Sequence, residues 1–172
     1  MKKIIHLTVF LALIAALAGA ALGLANAFTA PVIAANELAA EKDNLKVLYP
    51  DVADDAFEQV EENPSKTIEK IFKVEGHGYI FKMKVAGYKD GTSFLVALND
   101  DGSIYDYVAI SNGDTSGLGT KVTGDAFRET LKGADATSDD ILNDTISGAT
   151  VSSKPVLQGI QEAAKYQADN LQ

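Results

Sequence analysis

The chain has 172 residues and a formal charge of −9, from 15 Lys and Arg against 24 Asp and Glu, and it has no Cys. Disulfides, thiolate metal sites, iron–sulfur ligation, thiol catalysis and a thiol-linked lipid anchor are therefore excluded, and two isolated His, His6 and His77, do not make an ordinary zinc site. Beyond Asn36 the balance is 13 basic against 24 acidic residues, so the clustered Lys and Arg that nucleic-acid binding demands are missing. Any redox chemistry here requires an organic cofactor.

From Ile4 to Asn36 no residue is charged, and Ile4–Phe28 is almost wholly apolar. A helix of roughly 20 residues crosses the hydrocarbon core, so this run predicts one transmembrane helix. Lys2 and Lys3 precede it and Glu37 follows it, which places the N-terminus in the cytoplasm and the remainder outside. Ala25-Asn26-Ala27 also fits a signal-peptidase site, but the apolar run exceeds the roughly 7–15 residues of a signal peptide. A retained anchor is the expectation. Ala15, Gly19, Gly23 and Ala27 recur every four residues, either as a close-packing face for another helix or as a consequence of composition alone. His6 reads as an interfacial residue.

Pro31–Leu48 predicts a helix leaving the membrane, with Leu38, Leu45 and Leu48 as packing positions and Tyr49-Pro50 as its end. The acidic run from Asp51 to Asn63 reads as a solvated face or loop. Thr67–Val74 is a plausible strand. Then Tyr79, Phe81, Met83 and Val85 alternate with Ile80, Lys82 and Lys84, the pattern of a strand with one buried face. Turns at Tyr88–Gly91 and Asn99–Gly102 separate it from Phe94–Leu98 and from Ile104–Ile110, which implies an antiparallel meander. His77, between Gly76 and Gly78, reads as a turn residue. Asp125–Leu131 predicts a short helix and Pro155–Ala168 a longer one, with Ser152 and Ser153 as N-caps and Pro155 in the first turn. The fold class is α+β: a small antiparallel sheet with packed helices, tethered by one N-terminal transmembrane helix. The expected divisions are an anchor over residues 1–30, a linker helix and acidic loop over 31–65, and a folded domain over 66–172.

Two loops carry the chemistry. Asp114-Thr115-Ser116-Gly117-Leu118-Gly119-Thr120 sets two glycines beside hydroxyls, so backbone N–H groups can approach a flat or anionic ligand. Asp144-Thr145-Ile146-Ser147-Gly148-Ala149-Thr150 leads into the last helix, whose N-terminus is a natural phosphate seat. Neither is a P-loop or a nucleophile elbow, and no spare His exists to activate a serine. By the residues alone, the second loop is a phosphate site at most, and the first does not exceed a connecting loop.

Asp144-Thr145-Ile146-Ser147-Gly148-Ala149-Thr150 resembles the flavinylation motif Asp-x-x-Ser/Thr-Gly-Ala-Thr, in which a flavin transferase esterifies the phosphate of FMN to the final threonine. Gly117-Leu118-Gly119 after Asp114-Thr115 resembles the second signature of that family, commonly Glu-Thr-Pro-Gly-Leu-Gly; Asp114 and Ser116 stand where Glu and Pro are usual. Over nearly its full length the chain is similar to the G subunit of Rnf complexes and to the related C subunit of sodium-translocating NADH:quinone reductase. Its small size favours the former.

The resemblance implies an FMN-binding domain over 66–172 on the outer side of the membrane. It implies covalent FMN on Thr150, with Asp144, Ser147, Gly148, Ala149, Thr115, Gly117, Leu118 and Gly119 as the other flavin-site residues. The chain would be a non-autonomous redox subunit of an ion-translocating ferredoxin:NAD oxidoreductase. Its partners would be other membrane, flavin and iron–sulfur subunits, with the transferase acting during maturation. No catalytic acid–base pair and no metal ligands are expected, since the protein positions a cofactor that carries the redox chemistry. A domain outside the cytoplasm sees little free FMN, and a phosphoester prevents its loss by mass action. The alternatives are a free-standing flavinylated electron carrier on the cell surface, a subunit of the quinone reductase, and a module that holds a phosphorylated ligand non-covalently.

Overall fold

The alternating middle of the chain forms a five-stranded antiparallel sheet in the order β1-β2-β3-β4-β5, each strand beside its neighbour in sequence. The strands are β1 (Phe57–Glu62), β2 (Ile68–Val74), β3 (Gly78–Val85), β4 (Thr92–Leu98) and β5 (Ile104–Asn112). The helices are α1 (Lys2–Leu48), α2 (Asp125–Leu131) and α3 (Thr150–Asn170), with short 3-10 turns at Asp54–Ala56, Gly119–Thr123 and Asp139–Asn143. This computed structural model describes residues 2–171, without the side chains of Lys2, Ala34, Ala35, Glu37, Leu38 and Asp54. The expected packing role of Leu38 therefore lies outside the described residues. The chain divides into two compact units, Met1–Lys42 and Asp43–Gln172.

In the first unit, Lys3–Ile33 is long and apolar enough to cross a membrane, and none of its most apolar window is buried against protein. Pro31 lies inside α1 instead of opening a second helix. Its missing N–H removes one helical hydrogen bond, but the flanking apolar residues propagate the helix through it.

In the second unit the sheet has apolar contacts on both faces. Ile71, Phe81, Met83, Val85, Phe94, Val96 and Leu98 pack with Val156, Leu157, Ile160, Ala163 and Ala164 of α3 and with Phe127 and Leu131 of α2. The opposite face carries Phe72, Val74, Ile80, Leu95 and Ala97, covered by Leu45, Leu48 and Tyr49 at the end of α1. The expectation of a single buried face thus covers only part of β3 and β4. Val85 and Ile80 show the pattern: alternate residues are apolar on both sides wherever the end of α1 reaches. Burying each such side chain contributes about 1.5–3 kcal/mol.

The acidic run is largely a solvated face, as one of its two readings expected, but part of it is a strand and not a loop. Phe57–Glu62 is an edge strand paired antiparallel with Lys70–Val74, with Phe57 opposite Val74, Glu58 opposite Lys73 and a register shift between Gln59 and Glu61. Its charges mask the strand pattern in the sequence, and they also suit an edge, where charge discourages pairing with another chain. Glu61 accepts a hydrogen bond from Tyr166 Oη at 2.7 Å, which ties this edge to α3.

Helix α3 begins five residues before the expected Pro155, at Thr150, with Ala149 as its N-cap. Ser152 and Ser153 are therefore not caps but residues of the first helical turn. Ser153 Oγ accepts from Ile146 N–H at 3.0 Å and donates to Ala149 O at 3.1 Å, folding the preceding loop onto the helix. Pro155 falls in the second turn, where the exposed N-terminal end tolerates one missing hydrogen bond.

Candidate flavin site

Gly148 starts the site. Its φ of 78° lies in the left-handed region that side chains disfavour, and it turns the chain so that Thr150 becomes the first residue of α3. Ala149 beside it is buried, whereas Thr150 and Val151 are exposed. The first N–H groups of a helix lack intrahelical acceptors. Those of Ser152 and Ser153 are taken by Ala149 O at 3.0 and 2.9 Å, which leaves Thr150 and Val151 with N–H groups available to a ligand.

The two glycine loops meet at this helix start. Thr115, Leu118, Gly119, Gly148, Ala149 and Thr150 line one cavity of about 500 Å³, together with Tyr88, Val151 and Ser152. That volume lies within the usual range for small-ligand sites. Of the other expected residues, Gly117 and Ser147 are exposed at the loop tips and outside this lining. Asp144 and Thr145 border a neighbouring depression of about 620 Å³, shared with Phe127 and Lys121.

Asp114 does not face the cavity but holds it together. It is 8% exposed. Its Oδ2 accepts from Ser152 Oγ at 2.5 Å, and its Oδ1 accepts from Lys89 N–H at 2.8 Å. The three segments that line the cavity are therefore tied to one carboxylate: the turn at 87–91, the loop at 114–119 and the start of α3. Two glycines permit this approach. A Cβ on Gly87 would collide with the Asp114 carboxylate, and one on Gly119 would collide with Asp114 Cβ and lie 2.7 Å from Ser152 Oγ. Burial opposes ionisation of Asp114, but the hydrogen bonds from Ser152 and from the N–H groups of Lys89, Tyr88 and Gly91 outweigh it and hold its carboxyl below the ordinary value. Asn112 extends the anchor, its Oδ1 accepting from Asp114 N–H at 3.0 Å while its Nδ2 donates to Thr92 Oγ1 at 2.7 Å.

Sequence reasoning missed Tyr88, Val151 and Ser152 as cavity residues. Val151 and Ser152 adjoin the motif, so continuing it one helical turn finds them. Tyr88 stands in a separate turn, and its only sequence signal is an aromatic residue in an otherwise polar turn.

The donor set fits a flavin mononucleotide in chemistry and size: apolar and aromatic walls, a hydroxyl at Thr150, and free N–H groups at a helix start. Among the described residues no group of His, Asp and Glu is arranged to hold a metal ion. Residues 87–165 match the family model of the FMN-binding domain, a span that includes every residue lining the cavity. The chain is also 28% identical to the G subunit of the proton-translocating ferredoxin:NAD(+) oxidoreductase complex of Clostridium ljungdahlii, across 80% of this chain and 77% of that protein. The cavity at the start of α3 thus lies in the segment that matches the FMN-binding domain, within a chain that is similar to the G subunit of an Rnf-type complex over most of its length.

Proposed function

We propose that the chain is an electron-carrying subunit of a membrane-bound, ion-translocating Rnf-type ferredoxin:NAD oxidoreductase, with FMN joined through its phosphate to Thr150 Oγ. The observation that carries this reading is the convergence of both motif loops on one cavity at the N-terminus of α3, with Thr150 in its lining. Bound FMN supplies reversible one- and two-electron transfer. The chain's own residues hold and orient it. Thr150 would provide the covalent oxygen, the first N–H groups of α3 would serve the phosphate, and Thr115, Leu118 and Ala149 would help to hold the remainder. In attachment, Thr150 Oγ loses its proton as it bonds phosphorus, and the other substituent of an activated flavin pyrophosphate leaves with the electrons of the broken P–O bond. A flavin transferase performs this step during maturation. Asp144, the first residue of the motif, is exposed and open to that enzyme.

The apolar Lys3–Ile33 helix anchors the subunit in the membrane. Lys2 and Lys3 keep the N-terminus in the cytoplasm, so the flavin domain faces the outer side, near the flavin and iron–sulfur subunits of the complex.

Intact-mass measurement of the full chain, co-produced with a flavin transferase, should show the gain of one FMN. Thr150→Ala should remove it, along with flavin fluorescence after denaturing electrophoresis. Persistent fluorescence in the alanine variant would overturn the attachment site. The chain has no native Cys, so Lys165→Cys, at an exposed position of α3, reports orientation. It should react with an impermeant maleimide in spheroplasts, and labelling only after lysis would reverse the topology.

A further inference from the structure

Tyr88 has no structural duty that explains its position. It is 68% exposed, yet it lines the cavity that also contains Leu118 and Thr150. A large aromatic side chain left in solvent normally relaxes among rotamers, but the backbone that carries this one is fixed. Gly87 before it packs against the Asp114 carboxylate, and Lys89 after it donates its N–H to the same carboxylate at 2.8 Å. The residue is thus an aromatic surface on a rigid mount, beside a pocket with a free hydroxyl. Aromatic rings gain about 0.5–1.5 kcal/mol from stacked or edge contacts beyond simple burial. A flat heteroaromatic ligand is the partner that such a surface fits.

We propose that Tyr88 is a positioning residue of the flavin site, packing against the isoalloxazine ring of the FMN attached at Thr150 and shielding it from solvent. This rests on the function proposed above and adds a residue outside both motif loops. The same carboxylate, Asp114, anchors the Tyr88 turn and the Ser152 turn of α3. The turn that carries the wall and the helical turn that carries the attachment point are therefore tied to one group. Tyr88 makes no bond to substrate and exchanges no proton.

The test uses the full chain in detergent, flavinylated in cells, with Tyr88→Phe and Tyr88→Ala compared with wild type. A phenol in contact with an excited flavin quenches it by donating an electron that returns on recombination, leaving both unchanged. Phe cannot donate in this way but retains the wall. Flavin emission lifetime should lengthen in both variants. Quenching by added iodide should rise in Tyr88→Ala alone, where the ring is uncovered. Tyr88 lies outside the core, so the flavin mass and the circular dichroism spectrum should match wild type in both. Wild-type lifetime and iodide quenching in the alanine variant, with the FMN mass present, would overturn the role of Tyr88 and leave the attachment intact. Absence of the FMN mass from the wild-type protein would overturn both proposals.

Discussion

Two aspartates of the folded domain are almost equally buried, and they are satisfied in different ways. Asp106 on β5 is 6% exposed and Asp114 is 8% exposed. Asp106 meets cations: its Oδ1 accepts from Arg128 Nε at 2.7 Å and its Oδ2 from Arg128 Nη2 at 2.5 Å, with Lys132 Nζ at 3.7 Å. Asp114 meets only a hydroxyl and backbone N–H groups. For both, burial raises the pKa and the surrounding donors more than reverse it; at Asp106 the Arg128 hydrogen bond leads, followed by Tyr107 N–H and the charges of Arg128 and Lys132.

The difference separates fastening from site building. A bidentate Arg–carboxylate pair joins α2 to β5 and makes no demand on neighbouring loops. A carboxylate served by N–H donors must instead have the backbone wrapped around it, so it fixes the shape of every segment that supplies a donor. In this chain those segments line the candidate site's cavity. Perturbing each aspartate in turn tests whether Asp114 shapes the site while Asp106 only fastens the fold.

The largest effect is expected from Asp114→Ala. It leaves the buried Ser152 hydroxyl and the part-buried Lys89 N–H without an acceptor and should cost about 2–4 kcal/mol. Chemical denaturation of the full chain in detergent measures this, and intact mass should show reduced flavin attachment. A loss below about 1 kcal/mol with full attachment would remove Asp114 from the site. Gly119→Ala attacks the same anchor sterically, since its Cβ would collide with Asp114 Cβ. Overpacking of this kind costs about 1–3 kcal/mol, and flavin attachment should fall with it.

Arg128→Ala should cost less, about 1–2 kcal/mol, because Lys132 still faces Asp106 and Arg128 is partly exposed. Its flavin mass should equal that of wild type. Reduced attachment in this variant would erase the distinction between the two aspartates. Added salt should narrow the gap between wild type and Arg128→Ala, through screening of a pair that reaches solvent.

The smallest effect is on acid sensitivity. The folded pKa of each aspartate is depressed below its ordinary value of 3.8, so its contribution is complete above that pH and is lost as pH falls through the folded value. Asp114→Asn should flatten the decline in stability below pH 3.8. An unchanged slope in denaturation midpoints measured at successive pH values would show that folding does not depress the Asp114 carboxyl.

Some of this was legible locally. The period-two alternation of Tyr79, Phe81, Met83 and Val85, the turns at Gly91 and Gly102, and the apolar face of Val156, Leu157 and Ile160 each reflect one element meeting one apolar surface. Such elements can be read without their partners. An uncharged run from Ile4 to Asn36 is equally local, since membrane thickness alone sets the length required. The motif placed Thr150 in a loop just ahead of a helix expected from Pro155, whereas the helix begins at Thr150 itself, with the Ser152 and Ser153 hydroxyls engaged by Asp114 and the Ile146–Ala149 loop.

What depended on tertiary structure is whatever required distant residues to meet. Phe57–Glu62 becomes a strand only by pairing with β2, because half of its side chains are charged and no alternation marks it. Asp114 and Ser152 are 38 positions apart, and no periodicity marks one as the acceptor of the other. Its sequence determined β3 to β5, a helix long and apolar enough to cross a membrane, and the motif threonine, through patterns repeated within a few residues. Only the fold decided that a single buried carboxylate would gather Tyr88, Leu118 and Thr150 around one cavity. Burial and hydrogen bonding act through space, and a carboxylate is satisfied by whichever donors the folded chain brings to it.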